Sequence, residues 1–132
     1  MNTFKVKKIS TDQNNTVKAI VSTIEDLETL WGKLEKEKSN HIKNLAQKGY
    51  SIKNEDDIDY IYTCDYHDEQ QKWIRLGKAD EYFNNATEQK ARQAKFILEQ
   101  IKTIEDEQEK IRAKIRNLKK QAEEILLDCL IG

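Results

Sequence analysis

Arg112 and Arg116 stand four residues apart, and Arg75 and Arg92 are the only other arginines in the chain. On a helix that spacing puts both guanidinium groups on one face. Their planar forks present several N–H donors at once, which suits a phosphate. Ion pairing with the acidic block Glu105, Asp106, Glu107 and Glu109 of a partner copy is the other reading of the same pair. Phe83 with Asn84 and Asn85 forms a second group. An aromatic ring beside amides can stack on a nucleobase and hydrogen-bond its edge. Equally, Tyr82 and Phe83 can staple a helix start to a sheet while Asn85 caps it. Asp65, His67 and Asp68 are close enough in sequence to chelate a divalent ion. Polar turns between strands have this composition routinely, so no metal is assigned. The chain has no nucleophile elbow, HExxH, P-loop or dinucleotide-binding glycine pattern. Neither His41 nor His67 has a Ser or Cys in an obvious relation to it. A non-enzymatic protein without a cofactor is expected.

The arginine pair is carried by the most regular part of the chain. Residues 85–132 read as one helix, roughly 70 Å long at about 1.5 Å per residue. From Ala94, small or apolar residues recur in steps of three and four: Ile97, Ile101, Ile104, then Gln108, then Ile111, Ile115, Leu118, Ala122, Ile125 and Cys129. A sustained 3.5-residue period is a coiled-coil signature. The remaining chain reads as too small to cover this helix, so a second copy is expected to do so. The acidic block Glu105–Glu109 is followed directly by a basic block, Lys110 to Lys120. Antiparallel pairing would set each acidic block against the partner's basic block, which favours an antiparallel homodimer. Gln108 would hold the register through a polar partner. The apolar end, Ile125 to Ile131, exceeds what one seam covers and points to a larger assembly.

Ahead of the arm, Phe4–Ile9 and Val17–Val21 alternate around the turn-forming run Thr11–Asn15, which predicts a β-hairpin. Ile24, Leu27, Trp31 and Leu34 then repeat at helical spacing, predicting a helix from Ile24 to about Lys48 that frays after Leu34 and stops at Gly49. The acidic turn Glu55-Asp56-Asp57 precedes a strand, Ile58 to Tyr66, in which tyrosines alternate with polar residues. Lys72 to Gly77 is its partner strand. Lys78 to Asn84 joins sheet to arm, with Asn85 as helix cap and Glu88 three residues on. The fold class is therefore α+β: a small antiparallel sheet of two β-hairpins, one short helix, and a long C-terminal helix forming a coiled-coil dimer. A body (1–84) and an arm (85–132) make one domain.

Totals agree with long solvated helix faces. Charged residues are 36% and hydrophobic ones 37% of 132 residues, with a net charge of -1. No global attraction to a nucleic acid polymer or anionic membrane follows from that charge. No apolar run is long enough for a membrane span, and the N-terminus lacks the apolar core of a signal peptide. Cys64 and Cys129 read as free thiols in a reducing cytoplasm.

Two hairpins, a short helix and a long helical arm resemble the first family of Thoeris anti-defence proteins, made by bacteriophages. The residues that correspond are an aromatic before the arm (Phe83), amides near it (Asn84, Asn85, or Gln93 one turn into the arm) and the arginine pair Arg112 and Arg116. Arg75 and Arg92 complete the candidate set. The resemblance implies a cytoplasmic sponge that binds a cyclic ADP-ribose signal without cleaving it. The base would lie between an aromatic and an amide, and the phosphates on helix arginines at a homodimer interface. Some members of that family form hexamers and also hold cyclic oligonucleotides. The alternative is a coiled-coil interaction module that docks on a host factor. Direct nucleic-acid binding would require Lys110 to Lys120 to be exposed.

Overall fold

The structure is a computed structural model that describes the backbone of residues 11–67 and 70–131, and the side chains of 13–64 and 72–128. Its elements are α1 (Thr11–Gln47), β1 (Tyr50–Glu55), β2 (Ile58–His67), β3 (Gln70–Lys78), α2 (Ala79–Asn85) and α3 (Gln89–Ile131). The chain is α+β, with one antiparallel sheet of order β1-β2-β3. Its contacts divide it into two units, one of residues 11–34 and 106–131 among those described, the other Glu35–Glu105. The joint at 84/85 lies inside the second unit.

In the first unit a stripe on α1, Ile20, Ile24, Leu27, Trp31 and Leu34, repeats in steps of four and three. Ile20 is buried and the rest are half-buried. On α3, Gln108 and Ile111 are buried, and Ile115, Leu118, Ala122 and Ile125 are half-buried. The two stripes meet at Trp31: Gln108 Nε2 donates to its carbonyl at 3.5 Å. The Arg112 guanidinium lies 5.7 Å from the Trp31 ring centre. The Trp31 indole N–H is shielded from water and has no acceptor among the described residues.

These helices correct three expectations. Val17–Val21 is not a strand: it belongs to α1, which starts at Thr11 and continues unbroken past Leu34. Residues 4–9, the other half of the expected hairpin, lie outside the described residues. Val17 and Val21 do alternate, but Val17, Ile20, Ile24 and Leu27 also make a three-and-four stripe, and burial along that stripe decides. With α1 37 residues long, the rest of the chain is not too small to cover the arm's seam. Finally, Asn85 ends α2 rather than capping α3; Ala86 is extended and the long helix starts at Gln89.

The second unit is built on the inner face of the sheet. Its core joins Leu45, Tyr50, Ile61, Phe83, Leu98 and Ile101 with Ala91 and Ala94, whose small side chains let α3 approach closely. Gly49 stops α1 as predicted, at φ 84 in the left-handed region open to glycine, and its N–H bonds back to Ala46 at 2.9 Å. Strand β1 then pairs with β2, Ile52 opposite Ile61. The sequence did not predict this strand; it replaces the expected N-terminal hairpin. The β1–β2 turn is Asp56-Asp57, with φ 52 and 64. Both central residues positive in φ is the type I′ pattern that hairpin twist favours. Between β2 and β3 a bulge at Ile61/Tyr62 sets Gly77 opposite Ile61 and Arg75 opposite Tyr62. Leu76 is the extra residue, and it packs against the core.

Phe83 is 2% exposed, and its ring meets Tyr50 at 5.6 Å and Tyr82 at 5.4 Å, both edge-on. Phe83→Ala should cost about 3–5 kcal/mol in a urea unfolding curve. Asp57→Gly should raise stability by about 0.5–1 kcal/mol, because glycine takes a positive φ without steric penalty.

Candidate functional site

The candidate residues divide between the two units. Arg112 and Arg116 belong to the first; Arg75, Phe83, Asn84, Asn85, Arg92 and Gln93 belong to the second. Each is best judged by what its side chain touches.

Arg112 lies against the Trp31 ring, and Arg116 Nη2 is 3.5 Å from Glu109 Oε1. Both are exposed on α3. Arg75 stands on the open face of the sheet, 3.6 Å from the Tyr60 ring centre and 3.8 Å from Glu55 Oε2. The Tyr62 hydroxyl donates to Glu55 Oε1 at 2.9 Å, and this bond, with the carboxylate's charge, pushes the Tyr62 phenol upward. Phe83, expected to stack on a base, has its ring in the core. The staple reading of Tyr82 and Phe83 describes what these rings touch in this chain. Asn84 and Asn85 are exposed beside it.

Arg92 and Gln93 are brought together with residues that sequence reasoning did not single out. About two and a half turns of α3 and the end of α1 line a shallow groove of about 570 Å³ with Lys48, Gln89, Arg92, Gln93, Phe96 and Ile97. Lys48 Nζ donates to Gln93 Oε1 at 2.8 Å. Phe96 is 62% exposed. Gln89, Gln93 and Phe96 are spaced four and three apart, which stacks them on one helix face, with Arg92 four before Phe96. The signal was present in the sequence: Phe96 lies between the seam positions Ala94 and Ile97, so the heptad turns it outward. Such a face offers a ring for stacking, two amides for hydrogen bonding and two cations for an anion.

Other expected features are placed as follows. Among the described residues no three His, Cys, Asp or Glu side chains gather to hold a metal ion; the side chains of Asp65, His67 and Asp68 lie outside them. Cys64 is a half-buried free thiol, and the Cys129 side chain is not described. His41 lies 3.9 Å from Glu37. Leu126 and Leu127 of the apolar end are 43% and 51% exposed. Among the described residues no helix is long and apolar enough to cross a membrane.

No protein-family model, curated protein or solved structure matches the chain.

Tyr50, beside the joint, gives a measurable handle on this unit. Burial, a hydrogen bond with Tyr82 and the negative charge of Glu88 push its phenol from 10.0 to about 12. A folded-state value above the unfolded one stabilises the fold fully below pH 10.0, and that contribution is lost as pH rises toward about 12. Relative to Tyr50→Phe, the native chain should lose stability as pH rises between those values. Urea midpoints measured in parallel on the two proteins check it.

Proposed function

We propose that the chain is a non-catalytic capture protein for a small nucleotide-type anion. The class we assign is the cyclic ADP-ribose type held by the Thoeris anti-defence proteins that the chain resembles. The observation that supports the reading is the face of Lys48, Gln89, Arg92, Gln93 and Phe96, where an exposed ring lies among amides and cations. In this reading Phe96 takes the stacking role first given to Phe83, at about 1–3 kcal/mol for a stacked base. Gln89 and Gln93 read the base edge, and Arg92 and Lys48 neutralise the pyrophosphate. Capture is stoichiometric, and the signal leaves unchanged. The same proposal includes a homodimer through α3, extended toward a hexamer by the exposed Leu126 and Leu127, in the cytoplasm of an infected cell.

A second reading, an interaction module for a host protein, is favoured by Trp73 and Ile74. They stand 47% and 43% exposed on β3, an edge strand of the sheet.

Calorimetry with cyclic ADP-ribose isomers separates the two. The capture reading expects saturable binding, weakened at least about tenfold (~1.4 kcal/mol) by Phe96→Ala and by Arg92→Ala, with unchanged melting. Undiminished binding in both variants removes the site. Loss only in Arg112→Ala and Arg116→Ala moves it to the helix pair. No binding of any isomer leaves the interaction module.

A further inference from the structure

A separate cavity of about 370 Å³ opens in the second unit between the end of α1, the inner edge of the sheet and α3. Ile42, Leu45, Ile52, Leu98 and Ile101 supply apolar walls. Its volume falls in the range of small-molecule pockets, roughly 300–1,000 Å³. The ionisable groups that could charge it are Asp59 and Glu105, both carboxylates, with no basic side chain in the lining. Asn54 Nδ2 donates to Asp59 Oδ1 at 3.0 Å, which fixes that carboxylate and leaves its second oxygen and the Asn54 carbonyl as acceptors. An occupant must therefore bring an apolar body to the walls and donors with positive charge to the rim.

The geometry points to a binding site for a small cationic amphiphile, a primary ammonium on a hydrocarbon or aromatic body. Its charge is opposite to that of the ligand proposed for the Phe96 face. The two sites share no lining residue, so either can fail without the other. Ammonium specificity arises because a neutral alcohol forgoes the charge-assisted hydrogen bonds, and a carboxylate of equal length meets Asp59 and Glu105 as like charges.

The test titrates the full chain with hexylammonium, hexanol and hexanoate by ligand-detected magnetic resonance. Hexylammonium should bind at least tenfold more tightly than hexanol, and hexanoate least of all. Asp59→Asn combined with Glu105→Gln should bring hexylammonium to the level of hexanol while the circular-dichroism melt stays cooperative. Ala46→Trp, which fills the cavity from α1, should abolish binding of both. Equal affinity for ammonium and alcohol, a preference that survives the double substitution, or no saturable ammonium binding overturns the proposal. Binding that fades as protein concentration rises also overturns it, because a second copy then seals the cavity.

Discussion

Keeping the apolar stripe of α3 out of water is the constraint from which most of the structure follows. A helix of 43 residues carrying a long apolar seam exposes that seam to water unless something covers it, and burial of such a face supplies most of a helix's stability. The seam is covered differently in each unit. In the first, α1 lays its own three-and-four stripe along it. In the second, Ala91 and Ala94 are fully buried, and Leu98 and Ile101 close the core with Leu45, Ile61 and Phe83.

The legible parts were those in which local pattern and burial agree. The α3 register was readable because Ala94, Ile97, Ile101, Ile104, Gln108 and Ile111 are the buried positions of that stretch, apart from Leu98. Strands β2 and β3 were readable from alternating tyrosines and from Trp73 and Ile74. Strand β1 was not, because Tyr50-Ser51-Ile52-Lys53-Asn54-Glu55 carries two apolar residues and becomes a strand through pairing with β2. That pairing runs across the two-residue turn Asp56-Asp57, and two apolar residues are too few to announce the strand on their own. The first turns of α1 misled for the opposite reason, since valines and asparagines advertise strand and turn while a stripe one face wide binds them into a helix. At the candidate site, Arg92 and Gln93 were legible as chemistry. The proposed exchange of Phe83 for Phe96 was not, because the burial of Phe83 depends on how Tyr50 and Tyr82 close around it.

Charge order along α3 acquires a second meaning from α1. An acidic block followed by a basic one suits an antiparallel copy, but α1 also carries acids where α3 is basic: Glu28 and Arg112 line one small cavity with Trp31 and Ile115. Gln108, the polar interruption of the seam, finds a backbone carbonyl of the same chain. Register within the first unit is therefore specified by a polar contact as well as by apolar steps, at the stability cost that a buried amide carries.

Each unit holds one of the chain's two tryptophans. Trp31 has its indole N–H shielded from water and a guanidinium beside its ring; Trp73 is 47% exposed. The two environments should separate their emission, blue-shifted for the first and water-like for the second. Intrinsic fluorescence thus carries two optical channels, one for the helical pair and one for the sheet, without any label being added. Whether the units melt together or in sequence is written in whether those channels change at one temperature.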